Sequence, residues 1–120
     1  MQPTLVPLKV EKDWGHEIWL ANNEEENYCG KILCIEQGHS SSMHFHAEKH
    51  ETFYILEGEL RIEMIDTETT EKSWQHLHEG ETFVIERFVP HQLSPAGESP
   101  VKFIEISTFH RDEDSFRVWR

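Results

Sequence analysis

Three histidines and one glutamate have the residue types and spacing of a shared metal site. His44 and His46 are separated by one residue, so on a β-strand both side chains leave the same face. Glu51 follows five residues after His46, where a tight turn brings its carboxylate back across a sheet. His91 comes after the apolar run ETFVIERFV and brings a third imidazole from a distant part of the chain. This set predicts a site for one divalent transition metal, and zinc, manganese, iron, cobalt and nickel all suit such nitrogen and oxygen ligands.

The elements that position these residues are short strands. Apolar or alternating runs recur along the chain and are separated by Gly, Pro or polar clusters, whereas helical periodicity is nearly absent. The runs are HEIWLA, CGKILCIE, SMHFH, ETFYILEG, ELRIEMID, SWQHLH, ETFVIE, HQLSPAG and VKFIEIST. So many short strands in 120 residues indicate an all-β sandwich or barrel. We expect EGEL to form a hairpin turn, DTETTEKS an exposed hairpin loop, and RDEDSFRVWR a tail or a short helix.

Length and composition fit one folded domain over residues 1–120 with a modest core. A formal net charge of -12, from 23 acidic and 11 basic residues, opposes binding to nucleic acid or to an anionic membrane.

The chain has neither a basic start followed by an apolar leader nor a run near the roughly 18 apolar residues of a membrane span. Cys29 and Cys34 are five apart in one predicted strand, so they point to opposite faces. Reduced thiols and these absences predict a cytoplasmic protein.

The spacing GxxxxxHxHxxxxExxxxxxG, from Gly38 to Gly58, resembles the first motif of the cupin family. The segment GETFVIERFVPHQL is similar to the second motif, although Arg87 and Phe88 stand where the family usually has Pro and Gly. The resemblance covers about residues 30–108. It implies a double-stranded β-helix, or jelly-roll barrel, that holds a metal inside through the three histidines and the glutamate named above.

Three further segments resemble the small cupins of the type II mannose-6-phosphate isomerase group. They are VEKDWGHEIWL, YCGKIL and SPVKFIEISTFHRDEDSFRVWR. This narrower resemblance implies a metal-dependent aldose-ketose isomerase that acts on a sugar or a sugar phosphate. The substrate is then a small carbohydrate.

Lys31 and Glu105 are the candidate catalytic residues outside the metal site. Alternation places Lys31 on one face with Leu33, so Lys31 either reaches the cavity mouth or is an exposed lysine at a strand end. Glu105 is either a general acid/base near the metal or a solvated edge residue. An isomerase needs a base for proton transfer between neighbouring carbons, and the candidates are Glu51, Glu105 and Lys31.

A second histidine pair, His76 and His78, is expected to lie on the surface. Leu77 between them is the only aliphatic residue of its run and should face the core, which turns both histidines outward.

Two other functions compete with the isomerase. Three imidazoles with open coordination positions also suit an Fe(II) dioxygenase, and a non-catalytic metal-binding or sugar-binding module is the third possibility. We also expect a homodimer, because barrels of this size expose sheet edges and an apolar outer face, with HEIWLA as the expected paired edge.

Overall fold

The computed structural model describes residues 2–119, which form two antiparallel sheets. The strands are β1 (Leu8–Lys12), β2 (Gly15–Asn23), β3 (Tyr28–Ile35), β4 (Met43–Phe45), β5 (Glu51–Glu57), β6 (Leu60–Ile65), β7 (Lys72–Leu77), β8 (Thr82–Ile85), β9 (His91–Pro95), β10 (Val101–Ser107) and β11 (Phe116–Trp119). One sheet has the order β1-β2-β3-β10-β5-β8 and the other β11-β4-β9-β6-β7. The described residues contain one 3-10 turn and no α-helix. The all-β jelly-roll class expected from the sequence is confirmed.

The hydrophobic core lies between the inner faces of the two sheets. Inward residues of β3, β5 and β10 pack with those of β6, β7 and β9 in one continuous cluster. The larger members are fully buried: Ile35, Phe53, Ile55, Leu60, Ile62 and Phe103. Each such side chain contributes about 1.5–3 kcal/mol of burial free energy, which stabilises the packing of the two sheets.

Strand register places the candidate site residues side by side. On β10, Glu105 is the cross-strand partner of Lys31 on one side and of Phe53 on the other. Between the short strands β4 and β9, His44 is paired with His91. Cross-strand partners share a face of the sheet, so residues far apart in sequence point into the same interior.

The EGEL segment does not form the hairpin expected from its sequence. It joins β5 to β6, but β5 pairs with β10 and β8, whereas β6 pairs with β7 and β9. The segment therefore carries the chain from one sheet to the other. Gly58 lies there at φ +80°, and a Cβ on it would be 2.5 Å from the carbonyl oxygen of Pro100. Only glycine fits this close corner.

Two other local expectations are corrected at the ends of the chain. The segment predicted as a tail or a short helix contains a 3-10 turn, Asp112–Asp114, followed by β11, which pairs with β4. The HEIWLA segment is not an edge, because β2 lies between β1 and β3. By contrast, DTETTEKS does form the exposed loop of a hairpin, between β6 and β7.

Candidate metal centre

The structure brings three of the sequence-predicted site residues into one cluster. His44, His46 and His91 each offer a ring nitrogen, and these nitrogens lie within 4.8 Å of one another. The ring centroids are 4.6 Å apart for His44 and His91 and 5.0 Å apart for His44 and His46. His46 and His91 are buried. Three imidazole nitrogens this close together can bind a single metal ion.

Backbone carbonyls fix the orientation of all three rings. The Nδ1 atoms of His44, His46 and His91 lie 2.9, 3.0 and 2.9 Å from the carbonyl oxygens of Ser42, Asp114 and Val89, respectively. A carbonyl only accepts, so each Nδ1 donates and carries the ring proton. This leaves the Nε2 lone pairs free to bind a metal, which is the arrangement usual for metal-bound histidine.

Glu51 adds a carboxylate to the histidine cluster. Its side chain is 2% exposed, and its Oε2 lies 3.2 Å from the Nε2 of His91 and 3.4 Å from the Nε2 of His46. Within the described residues, neither the Glu51 Oε2 nor the His91 Nε2 has a hydrogen-bond partner. Two buried acceptors that face each other without a donor are costly, and a cation between them satisfies both. The donor set therefore fits a divalent metal.

The charge states of these groups also suit a metal ion. Burial lowers the pKa of His44 to about 3 and that of His46 to about 4, so both imidazoles are neutral near pH 7. Burial acts to raise the pKa of Glu51, but the charge of Lys49 outweighs it and holds that pKa well below its usual range. Metal binding requires neutral imidazoles and an ionised carboxylate, and the site provides both.

Lys49 is a site residue that the sequence reasoning missed. Its ammonium is buried, 3.0 Å from the Glu105 Oε2 and 3.7 Å from the Glu51 Oε1. Burial opposes its charge, but the two carboxylates raise the pKa of Lys49 well above its usual value. Lys49 lies in the loop just before β5, where strand alternation does not fix the direction of a side chain, so no spacing rule identified it.

Glu105 is buried in the interior and is not a solvated edge residue. Besides Lys49, the hydroxyl of Ser107 lies 3.2 Å from its Oε2. Burial raises the pKa of Glu105 and the charge of Glu51 adds to the effect, while Lys49 opposes it. A buried carboxyl group with a raised pKa in a cavity is a candidate general acid/base.

Lys31 also faces the interior and is not an exposed lysine at a strand end. Its side chain is 2% exposed, with the ammonium 3.5 Å from the Glu17 Oε1 and 4.2 Å from the centroid of the Trp19 ring. Lys31, Glu105 and the three histidines line one cavity of about 540 Å³. The two candidate catalytic residues and the candidate metal ligands are thus in a common chamber.

His110 enters this chamber from beyond the last long strand. Its Nδ1 accepts a hydrogen bond from the Lys49 ammonium at 3.0 Å, and its Nε2 donates to the Asp112 Oδ1 at 2.8 Å. Burial lowers the pKa of His110 to about 4. No spacing rule identified it, because His110 lies in a loop where neither strand nor helix periodicity constrains direction.

The remaining sequence expectations concern the surface. Leu77 is buried, whereas His76 and His78 are exposed, as expected for this histidine pair.

The turn of the second motif contains Arg87 and Phe88. Arg87 donates a hydrogen bond from Nε to the carbonyl of Glu48 at 2.8 Å. Phe88 adopts φ +67°, the left-handed conformation that favours glycine. The turn of the second motif is therefore kept despite the two unusual residues.

Two facing antiparallel sheets with a histidine cluster and a buried carboxylate between them define a metal-binding jelly-roll protein. The chain belongs to the cupin family, because the Cupin domain model matches residues 31–107. Family membership and the histidine group together give one divalent transition metal as its cofactor. No curated protein matches this chain.

Several solved structures share the fold. The capsular polysaccharide assembling protein CapF from Staphylococcus aureus is 16% identical, with a TM-score of 0.85 over 98% of this chain and 34% of CapF. The Lactobacillus farciminis oxalate decarboxylase, in a formate complex, is 15% identical, with a TM-score of 0.77 over 93% of this chain and 33% of that chain. The Bacillus subtilis oxalate decarboxylase, which has Mn(II) centres, is 18% identical, with a TM-score of 0.77 over 95% of this chain and 30% of that chain. This chain thus spans about a third of the length of these proteins.

Within residues 2–119, no helix is long and apolar enough to cross a membrane.

Proposed function

We propose that this cupin is a metal-dependent aldose-ketose isomerase that acts on a sugar or a sugar phosphate. The proposed metal ligands are His44, His46, Glu51 and His91. The observation that carries the proposal is Glu105, a buried carboxyl group with a raised pKa in the same cavity as the histidine cluster. The resemblance to the type II mannose-6-phosphate isomerase group supports the choice of substrate.

The reaction needs a group that accepts a proton from one carbon and returns it to the next. In the aldose-to-ketose direction, the C2 proton moves to Glu105 and then to C1, while the O2 hydroxyl proton is transferred to O1. Protons balance, so no external reactant is needed. A bound divalent ion supplies Lewis-acid stabilisation of negative charge on the substrate oxygens. Lys49 holds Glu105 in place through its 3.0 Å contact.

The rest of the cavity suits a small polar substrate. Its volume of about 540 Å³ is within the roughly 300–1,000 Å³ usual for small-molecule pockets. The Lys31 ammonium has one long hydrogen bond, to Glu17, and lies over the Trp19 ring, which leaves ammonium hydrogens to donate to a sugar hydroxyl or a phosphate. Trp14 lines the wall and offers an apolar surface to a sugar ring.

Solvent exchange into the substrate tests this proposal. The metal-loaded protein is incubated in heavy water with a panel of aldose and ketose phosphates and free sugars, and deuterium at C1 or C2 is read by NMR. We expect exchange with one sugar class, its loss in Glu105→Gln and in His91→Ala, and its retention in His78→Ala. Absence of exchange with every sugar, from protein shown to hold its metal, contradicts the isomerase.

A non-catalytic metal-binding or sugar-binding module is the second candidate function. It is favoured by the closed contacts of Glu105, whose Oε2 is already bonded to Lys49 and Ser107. Binding of a sugar to the metal-loaded protein without exchange supports the module. Oxygen uptake by the iron-loaded protein supports the third candidate, a dioxygenase, in place of both.

We further propose that residues 1–120 form one domain and that the protein is a homodimer. The single core shared by both sheets supports the domain. On the outer face of the larger sheet, Ile106 is 60% exposed, and Tyr54, Leu56 and Val84 are also exposed. Such an apolar face on neighbouring strands suits contact with a second copy.

We place the protein in the cytoplasm. Cys29 and Cys34 are both buried free thiols, which suits a reducing compartment.

A further inference from the structure

Asp114 contacts the loop between two proposed metal ligands from a distant part of the chain. Its side chain is buried, and its carboxylate accepts three backbone N–H groups at 2.9 Å each. The donors are consecutive: Ala47 and Glu48 bond to Oδ1, and Lys49 bonds to Oδ2. These residues lie between the ligands His46 and Glu51.

The backbone of Asp114 acts on His46 directly. Its carbonyl oxygen accepts the hydrogen bond from the Nδ1 of His46 at 3.0 Å. That bond keeps the proton on Nδ1 and the lone pair on Nε2, which is the tautomer that a metal needs. One residue therefore orients a ligand and also fixes the loop that leads to the next ligand.

Other contacts hold the two ends of the loop: the Phe88 N–H donates to the His46 carbonyl at 2.7 Å, and the His50 N–H donates to the Thr108 hydroxyl at 3.0 Å. Residues 46–50 lie outside the strands, so their N–H groups make no sheet hydrogen bonds, and buried N–H groups need partners. Asp114 provides these partners to three consecutive residues. The segment that carries Asp114 follows residue 107, where the Cupin domain match ends. The family motifs alone therefore do not include this contact.

We infer that Asp114 is a positioning residue of the metal centre, which sets the ring of His46 and the place of Glu51 without touching the ion. This inference rests on the ligand assignment in the proposed function. Without the carboxylate, the loop N–H groups lose their acceptors and the two ligands lose their fixed separation. Partners that orient metal ligands typically change metal affinity by about 10–100-fold when removed.

Titration of the metal-free protein with Co²⁺ tests the inference. Affinity is measured from the visible absorbance of bound Co²⁺, in competition with a chelator, for the wild type, Asp114→Ala and Asp114→Asn. Glu113→Gln is the matched control, because Glu113 is an exposed acid in the same 3-10 turn. We expect Asp114→Ala to bind about 10–100-fold more weakly, Asp114→Asn to lose less because it keeps one acceptor oxygen, and the control to bind like the wild type.

A second readout separates positioning from general stability. Histidine-ring ¹H–¹⁵N correlation spectra of the metal-free protein report which nitrogen of His46 is protonated. We expect a single Nδ1–H form in the wild type and the control. Asp114→Ala keeps the backbone carbonyl but releases the segment that carries it from the loop, so we expect a mixture of His46 tautomers in that variant. If Asp114→Ala does not fold, Asp114→Asn decides the question by the same two measurements.

The outcomes distinguish this inference from the ligand assignment. Co²⁺ affinity in a folded Asp114 variant equal to that of Glu113→Gln, with His46 still in the Nδ1–H form, overturns the positioning role. Loss of Co²⁺ in His44→Ala together with that result leaves the ligand assignment intact. Unchanged Co²⁺ binding in His44→Ala instead overturns the ligand assignment, whatever the Asp114 variants do.

Discussion

Lys49 is the ion-pair partner of two buried carboxylates, and we predict that its removal destabilises the folded protein. Lys49→Met leaves Glu51 and Glu105 without their shared cation, and breaking a buried ion pair costs about 3–5 kcal/mol. We expect a loss of that order in the free energy of unfolding, measured by urea denaturation of the metal-free protein. The control is Lys102→Met, because the contact of Lys102 with Glu57 is exposed and contributes little. Equal losses in the two variants would contradict the burial argument.

The buried histidines predict a pH dependence for the metal-free protein. The folded pKa values are about 3 for His44 and about 4 for His46 and His110, against 6.5 for an unperturbed histidine. Between those values the unfolded chain binds more protons, so stability falls as pH is lowered through the window from 6.5 towards 4.

Each of these histidines contributes up to about 1.4 kcal/mol per pH unit to this slope, and the raised pKa of Glu105 offsets part of it. Urea denaturation at a series of pH values measures the slope. His76→Ala should leave it unchanged, because His76 is exposed. A flat profile between neutral pH and the acid end of the window would show that the imidazoles are not held neutral by burial.

At the residue scale, local spacing predicted the histidine cluster but not the charge network around it. The HxH pair was predicted from strand alternation and Glu51 from a tight turn after His46, and alternation also placed Lys31 and Glu105 on particular faces. Which face is interior depends on sheet packing, so the sequence left each of these side chains as either a cavity residue or an exposed one. His110 lies in a loop whose direction is set by contacts with Lys49 and Asp112, and no local pattern encodes those contacts.

The corner between β5 and β6 gives a prediction at the scale of elements. Gly58 and Gly38 have nearly the same φ, +80° and +82°, but of these two only Gly58 would bring a Cβ against another backbone atom. Gly38→Ala should therefore cost about 1–2 kcal/mol of conformational strain. Gly58→Ala should cost more, about 2–5 kcal/mol, because the contact with Pro100 adds to the strain.

Thermal and urea unfolding of the two glycine variants measure this difference. Equal losses would mean that the corner relaxes and does not fix how the sheets join.

The corner between β5 and β6 also shows why the sequence predicted a hairpin there. Two apolar runs around a glycine indicate a turn, but they do not say which partners each strand takes. Here β5 pairs with β10 and β6 with β9, and those pairings depend on distant segments.

At the scale of the whole molecule, the proposed homodimer is tested through the outer face of the larger sheet. Ile106→Lys places a charge at the most exposed of the apolar positions on this face, and we expect it to convert a dimer into a monomer. Light scattering over a dilution series measures the mass. Val118→Lys is the matched control, because Val118 is similarly exposed on β11 of the other sheet. A wild type that is monomeric at every concentration would exclude the dimer.

The fold as a whole was more predictable than its assembly. Many short strands and two spaced motifs indicated an all-β barrel, since both patterns are local in sequence. The sheet order is set by long-range pairing, such as that of β11 with β4, so the sequence pattern left the final segment as a tail or a short helix.

The metal content of matched histidine variants tests the central claim most directly. The wild type, His91→Ala and His78→Ala are purified in the same way, and bound transition metal per chain is measured by elemental analysis. The proposed centre predicts about one ion per chain in the wild type and in His78→Ala, and loss of most of it in His91→Ala, because one ligand is removed. A folded His91→Ala that retains the full metal content would contradict the centre proposed here.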